Sequence, residues 1–425
     1  MDEKYTTYGY VSEIRNFGNL MFLILRNAYK TEQITFFKKD CPDLYNQAKE
    51  VTKESVVKVV GVKKDASKAM NGYEVIPESF EIITKSDAPV PLDISGKIES
   101  TFDARINNRF LDLRMPEHRA IFSLRSKVYK AAVDYFDNKD FININTPKIV
   151  VNGVESGAEL FKMDYFGKPA YLSQSPQVYK QMMIIAGLNK VYEIAPVFRA
   201  EKSNTTRHMT EFTGIDFEVG FIKDYYDVKD VVEGLLIHIL KYVNENCKKE
   251  LELLNVQIKI PTKIPMMDMP SVKKLLKEKG KVLSEEDDLD SEAEKLVYEI
   301  AKEKFDSEFL FVTNYPFSAR PFYHMCFKEL IDGLKTTQSF DLIWKGVEIA
   351  TGAQREHRVE VLKEQMQEKE MNLEDMEYYT DMFRYGVPPH GGTGLGLDRI
   401  VELLLNLPNV KEAVILPRDP DRLTP

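Results

Sequence analysis

"FRAEKSNTTRHMTEFTGIDFE", residues 198–218, sets two arginines, a histidine and four acids into a stretch that otherwise alternates apolar and polar side chains. Alternation is the pattern of a strand, in which side chains two apart share a face. Arg199 and Glu201 then point one way, Phe198 and Ala200 the other. On the next run Phe212, Asp216 and Glu218 share one face, and Thr213, Ile215, Phe217 and Val219 form an opposite, buried one. With 202–210 as a hairpin loop, the two polar faces lie side by side as one floor of cations, acids and a single aromatic ring. A solvated sheet face laced with surface salt bridges, each worth ~0–1 kcal/mol, has the same pattern. The stretch therefore poses a question that the rest of the chain has to answer.

Working outward, the chain of 425 residues, 43% hydrophobic and 29% charged, is long enough for two or three domains and apolar enough to bury their cores. No run of about 18 apolar residues occurs, and "MDEKYTTYGY" at the N-terminus has neither a basic start nor an apolar core, so the expectation is a cytoplasmic protein. Cys41, Cys247 and Cys326 are far apart and contain no CxxC pair, which leaves oxygen ligands for any metal. A net charge of −9 excludes a generally basic nucleic-acid coat but not a local basic groove.

Residues 5–85 hold five short β-rich runs separated by turn signals, Asn16 with Gly18 and Asn71 with Gly72 among them. This suits a small barrel of the OB type, and an SH3-like barrel would read much the same. "SDAPVPLDISGKIES" reads as a linker, after which the texture becomes mixed α/β. A helical period runs through Ile121, Leu124, Val128, Ala131, Ala132, Tyr135 and Phe136, and "FININTP" follows as a strand ended by Pro147. Strand-rich runs recur at 191–201, 211–222, 310–316 and 338–350, with long helical stretches at 227–246, 291–305, 359–383 and 398–406. Strands and helices do not alternate regularly, so the fold class expected is α+β, a mostly antiparallel sheet flanked by helices.

Other segments carry matching chemistry. "QSPQVYK" (174–180) supplies Gln174, Gln177 and Lys180, and "IATGAQREHR" (349–358) supplies Arg355 beside small residues. "SFDLIWKGVEI" sets Asp341 and Glu348 seven residues apart, which in a bulged or bent strand can face a hard cation; two unrelated surface acids are the plainer reading. "HGGTGLGLDRIVELLLNL" reads as a glycine-dense turn entering an amphipathic helix with Arg399 in its first turn, a place where a ligand can touch backbone and an anion is favoured. It is neither a dinucleotide fingerprint nor a P-loop, because its glycines fall at 391, 392, 394 and 396, which gives no GxGxxG, and no GK[ST] follows.

Together "FININTP", "FRAEKSNTTRH…FTGIDFE" and "GLGLDR" resemble motifs 1, 2 and 3 of the class II aminoacyl-tRNA synthetases. "QSPQVYK" and "GAQREH" narrow the resemblance to the aspartyl-tRNA synthetase family of the archaeal and eukaryotic cytosolic type, over essentially the whole chain. It resembles members without the large bacterial insertion domain and without a lysine-rich N-terminal extension. The resemblance implies an OB-fold anticodon-binding domain at 1–85, a hinge or linker at 86–115 and a catalytic domain at 116–425. It implies adenylation of L-aspartate by ATP with Mg2+, transfer to tRNA(Asp), and a homodimer through the motif 1 helix and strand.

The same resemblance assigns roles residue by residue. Arg199 would hold the α-phosphate and the amino-acid carboxylate, Arg207 and His208 the outer phosphates, with Phe212 and Arg399 sandwiching adenine and Glu201 reading its amino group. Asp341, Glu348 and Thr351 would bind magnesium. Lys180 and Arg355 would meet the aspartate side chain, and Glu155, Gln177 and Asp216 its ammonium. Phe22 and Gln33 would stack on and read an anticodon base, although a core position explains Phe22 and a surface amide explains Gln33 just as simply. No general base is implied; the reaction needs orientation.

Asparaginyl-tRNA synthetase shares most of these residues. Lys180 beside Arg355 favours aspartate, because an amide would leave buried cations poorly paired, at a cost of roughly 3–5 kcal/mol. An aspartate–ammonia ligase paralogue would not need residues 1–85, and a catalytically dead RNA-binding regulator would not need Arg199, Asp341, Glu348 and Arg399 intact. Ser156 in "VESGAELF" replaces the glycine usual after the glutamate of the family's mobile loop, which puts loop closure in question. Whether tRNA(Asn) is also charged, and what the acidic stretch 284–295 does, are not legible in the sequence.

Overall fold

The computed structural model describes residues 4–27, 30–69, 71–151 and 160–425. They fall into two compact units, Met1–Arg119 and Ala120–Pro425.

In the first unit, β1 (Tyr5–Asn16), β2 (Leu20–Arg26), β3 (Thr31–Phe37), β4 (Val56–Asp65) and β5 (Tyr73–Thr84) close a barrel in the order β1-β2-β3-β5-β4. Alternation works as the sequence predicts: Leu23, Leu25, Ile34, Phe36, Val57 and Val59 point inward. The first turn is set by Asn16, whose side-chain oxygen accepts from the Gly18 N–H at 2.9 Å. A helix that period-two reading does not show, α1 (Pro42–Lys49), adds Tyr45 and Ala48 to the barrel core. Phe22 is not part of that core. It is half-buried, lies edge-on to Phe17 at 6.0 Å, and shares an outer face with Gln33 because Phe22 pairs with Thr35 and Ile24 with Gln33. Residues 85–101 form no helix or strand, and α2 (Phe102–Asn107) and α3 (Arg109–Asp112) follow.

The second unit is built on β6 (Ile142–Asn143), β10 (Lys190–Phe198), β11 (Glu211–Gly220), β12 (Met266–Asp268), β13 (Phe309–Thr313), β14 (Ser339–Trp344), β15 (Val347–Arg355) and β16 (His390–Gly396). Their order is β12-β13-β14-β15-β16-β11-β10-β6, antiparallel except at the two ends. A small sheet of β7 (Ile149–Val150), β8 (Lys162–Tyr165) and β9 (Lys168–Leu172) stands apart from it.

One face of the large sheet packs on helices. Ile215, Phe217, Leu342, Ala350 and Leu395 form a core with α4 (Pro116–Asp137), α6 (Tyr225–Asn246) and α12 (Leu397–Leu405). Burying one such large side chain is worth ~1.5–3 kcal/mol, which fixes which face of each strand turns inward. The helix α7 (Lys248–Leu253) completes that region; α8 (Met269–Glu278) and α9 (Ser291–Phe305) pack on the opposite face against Leu310, Val312 and Ile343, and α5 (Gln177–Ile185), α10 (Val359–Glu368) and α11 (Glu377–Thr380) belong to the site side. There Val178, Phe322, Tyr323, Leu362 and Tyr379 make a separate cluster.

Four local expectations need correction. The strand in "FININTP" is two residues long, paired parallel to β10. The run 338–350 is two strands turned at Lys345 and Gly346, both at positive φ (48 and 76), the geometry a two-residue hairpin loop requires. The stretch 359–383 is not one helix: it stops at Glu368, and Glu370 at φ 57 cannot continue it. The glycines of "HGGTGLG" lie in strand β16, not in a turn.

Candidate active site

The hairpin expected from residues 198–218 exists, and its polar face is buried at Asp216 and Glu218 and half-buried at Arg199, Glu201 and Phe212. β10 and β11 pair with Phe198 opposite Glu211 and Glu193 opposite Asp216, and β16 continues the sheet with Gly394 opposite Asp216 and Gly392 opposite Glu218. Those glycines are what leave room for the acids. A Cβ at Gly392 would lie 2.0 Å from a Glu218 carboxylate oxygen and 2.1 Å from the Phe217 carbonyl oxygen. Glu218 is 0% exposed, Lys180 and Arg355 2% each. Arg355 donates through Nε to Glu218 at 2.9 Å; Lys180, from the first turn of α5, donates to Asp216 and to the Thr393 carbonyl, both at 2.9 Å, and stands 3.6 Å from Glu218. Burial alone would push the Glu218 carboxyl up, but Arg355 and Lys180 outweigh it and hold it below the usual carboxylate value. The two cations are thus already paired, which the sequence reading did not foresee.

At the other end of the hairpin, Arg199 lies over the Phe212 ring at 5.4 Å, and its buried Nε has no hydrogen-bond partner among the described residues. An unfilled guanidinium donor in a cavity is a ready anion site. The loop after β10 brings Arg207 and His208 alongside. His208 Nδ1 is 2.6 Å from Thr205 Oγ1 and its Nε2 is 3.7 Å from Glu201; burial, opposed by Glu201 and reinforced by Arg399 and Arg207, lowers its pKa. Arg207 donates to Glu294 and to the Gly346 carbonyl, each at 2.8 Å.

The hairpin of β14 and β15 supplies the carboxylates. Asp341 pairs with Thr351 and Leu342 with Ala350, but Ile343 pairs with Glu348, so Ile349 is one residue extra. This bulge turns Glu348 onto the face of Asp341 and Thr351. Without it Glu348 would point into the helix-packed core. Thr351 Oγ1 donates to Glu348 at 3.1 Å, and Arg399, in the first turn of α12, donates to the Glu348 carbonyl at 2.6 Å. Asp341 is buried against Arg320, yet its Oδ1 has no partner among the described residues. Burial, opposed by Arg320 and assisted by Glu348, pushes Asp341 up to about 7; burial and Glu348 do the same to Glu294, against Arg207. A strained carboxylate oxygen facing a second carboxylate and a hydroxyl fits a hard cation. Among the described residues no three or more His, Cys, Asp or Glu side chains form a ready metal cage.

All these segments meet at one cavity of about 430 Å³. Every described residue assigned above to ATP or aspartate borders it, as do Glu348 and Thr351; Asp341, buried against Arg320, is the exception. Glu155, with Ser156, lies outside the described residues. Phe22 and Gln33 belong to the barrel, where Gln33 donates to Glu74 at 3.2 Å. Residues 101–420 match the family of class II tRNA synthetases (D, K and N), and residues 5–83 match the OB-fold nucleic acid binding domain. The chain belongs to the class II tRNA synthetases. This synthetase is 42% identical over 425 residues to the aspartate–tRNA(Asp) ligase of Thermococcus kodakarensis, covering 100% of this chain and 96% of that protein. It is 41% identical to the aspartate–tRNA(Asp/Asn) ligase of Methanopyrus kandleri, covering 98% of this chain and 95% of the relative. The solved structure of asparaginyl-tRNA synthetase from Pyrococcus horikoshii complexed with asparaginyl-adenylate is similar with a TM-score of 0.91 at 32% identity, covering 100% of this chain and 96% of that one.

Several residues in and around the synthetase's cavity have no role in the sequence reading. Glu218 was placed on the right face but given no role. Glu294 and Asp288 come from the unassigned acidic stretch: Glu294 binds Arg207, and Asp288 borders the cavity 3.7 Å from Arg320. A helix start was visible there, since Asp290 caps α9 by accepting from Glu292 and Ala293. Nothing local tied that helix to Arg207, 87 residues earlier.

Proposed function

We propose that this synthetase is an aspartate–tRNA ligase. It joins L-aspartate to ATP, forming aspartyl-adenylate and pyrophosphate, and transfers the aspartyl group to the 3′ end of tRNA(Asp). Charging of tRNA(Asn) as well is compatible with relatives of both kinds. The observation that carries the reading is the buried floor of Lys180 and Arg355 against Asp216 and Glu218. Aspartate brings two carboxylates and one ammonium, and this floor offers each a partner of opposite sign. Because both cations are paired before any ligand arrives, an amide side chain would not strand a bare buried charge. It forfeits a charge-assisted hydrogen bond worth ~1.5–3 kcal/mol, a discrimination of roughly 10- to 150-fold.

In this reading an oxygen of the aspartate α-carboxylate attacks the α-phosphorus as its bond to pyrophosphate breaks. Arg199 holds both reacting groups and stabilises charge growing on the phosphoryl oxygens. Arg207 and His208 hold the outer phosphates, Phe212 and Arg399 the adenine ring, and Glu201 its amino group. Asp341, Glu348 and Thr351 would hold magnesium, which when bound neutralises phosphate charge. Gln177, Asp216 and Glu155 take the ammonium. A ribose hydroxyl of tRNA then attacks the activated carbonyl and AMP leaves. The barrel face carrying Phe22 and Gln33 takes the anticodon, stacking contributing ~1–3 kcal/mol per base. The domain limits 1–85, 86–115 and 116–425 and a homodimer through α4 and β6 belong to the same reading; exposed Tyr129 and Ile142 support the dimer.

The test is aminoacylation with labelled aspartate or asparagine, each offered purified tRNA(Asp) and tRNA(Asn) with ATP and magnesium. Aspartate on tRNA(Asp), alone or with tRNA(Asn), is the expected result. Attachment of asparagine in preference to aspartate overturns it.

A further inference from the structure

His324 borders the cavity and is 1% exposed, and neither composition nor motif singles it out. Its backbone is pinned: it bridges antiparallel to Arg355, and its carbonyl accepts from Gln365 at 3.0 Å. Its imidazole Nε2 is 3.1 Å from Arg355 Nη1. A guanidinium only donates, so Nε2 must accept and the ring proton sits on Nδ1. Nδ1 is buried with no partner among the described residues, so the bond to Arg355 is the one the ring makes. Burial first, then Arg355, Arg320, Lys180 and Lys369, drive the His324 pKa well below the ordinary value, and the ring is neutral.

Glu218 and His324 are therefore both anchors of Arg355, among its other contacts. Glu218 takes Nε at 2.9 Å and Nη2 at 3.4 Å, His324 takes Nη1, and the group lies over the Tyr323 ring at 5.4 Å. The two anchors differ in what they do to the charge. Glu218 is a counterion shared with Lys180. Lys180 and Arg355 are already balanced by Asp216 and Glu218, so a second acid in place of His324 would make the floor net negative and repel a carboxylate, whereas a neutral acceptor orients the guanidinium without adding charge.

We propose that His324 is a positioning residue for the amino-acid site: it fixes the plane of Arg355 and thereby sets the preference for a side-chain carboxylate over an amide. This rests on the aspartate reading above, and the experiment separates the two. Aspartate-dependent exchange of pyrophosphate into ATP is measured on the full chain and on His324→Leu and His324→Gln. Losing one oriented hydrogen bond predicts that His324→Leu raises the KM for aspartate about tenfold, leaves the KM for ATP within about twofold, and lowers the preference for aspartate over asparagine about tenfold. His324→Gln, whose amide oxygen lies where Nε2 lay, recovers most of both. If His324→Leu does not fold, as judged by thermal unfolding, His324→Asn replaces it with the same expected loss, being too short to accept from Arg355. An unchanged KM for aspartate, equal rises for aspartate and ATP, or a Gln variant as impaired as Leu would overturn the role of His324. A native chain that exchanges no pyrophosphate with aspartate would overturn the aspartate reading itself.

Discussion

Glu32 in the barrel and Asp341 in the large sheet are both nearly completely buried carboxylates, 1% and 3% exposed. Glu32 accepts from Thr7 at 2.6 Å and from Tyr5 and Tyr73 at 2.7 Å, with Lys30 at 3.0 Å. Burial raises its pKa, but those partners more than reverse the effect and its pKa lies below 4.5. Asp341 has Arg320 on one oxygen and, among the described residues, no hydrogen-bond partner on the other; it faces Glu348 and is pushed up to about 7. Similar exposure therefore goes with opposite shifts, because Asp341 is the more deeply desolvated of the two and has fewer donors to offset that cost. A carboxylate surrounded by donors has its charge satisfied within the fold; one left with fewer donors carries an electrostatic cost that a bound cation would relieve.

The comparison can be broken most directly at Asp341. Asp341→Asn removes charge from the open carboxylate, and aspartate-dependent pyrophosphate exchange should fall about 100- to 1000-fold, the scale of losing one preorganised electrostatic group. Retention of half the activity would make Asp341 a structural acid like Glu32. Next in size is Lys180→Ala, expected to raise the KM for aspartate roughly 100-fold with little change in the KM for ATP. Equal damage to both constants would sink the assigned role.

Glu32→Gln sharpens the other side. Replacing an acceptor of three hydroxyls should lower stability in chemical denaturation by ~1–3 kcal/mol at pH 7 while leaving pyrophosphate exchange intact. Because the Glu32 pKa is lowered on folding, its stabilisation is present above 4.5 and lost only as pH falls through the lower folded value. A difference between variant and native chain that instead disappeared on raising the pH would contradict this. The smallest effect is expected at Glu294, also pushed up to about 7 but engaged by Arg207. Glu294→Gln keeps the acceptor and loses its charge, so the KM for ATP should rise about three- to fivefold, with the KM for aspartate unchanged.

Legibility in the sequence followed the range of the interaction. The hairpin of β10 and β11 was readable because alternation is local, and so were the five strands of the barrel between their Asn and Gly turns. The helix α1 was not, being a short insert with no counterpart in a period-two pattern. The glycines of β16 were misread as a turn for a related reason: glycine ordinarily marks a bend, and here it marks contact with Glu218 across the sheet. Asp341 and Glu348 were recognised as a pair, but the single extra residue at Ile349 that brings them to one face depends on how β14 pairs with β15.

By itself, then, the sequence determined the barrel strands, most of the long helices, the two-part organisation, the charged hairpin and the motifs that mark a class II tRNA synthetase, all of which rest on neighbours a few residues apart. Tertiary structure alone decided that Asp216 and Glu218 are buried, that the cations beside them are paired in advance, that Asp288, Arg320 and His324 reach the same cavity, and that Glu294 meets Arg207. Burial and strand register arise when segments far apart in the chain close on one another, and the near-neighbour periodicity of side chains carries no record of that closure.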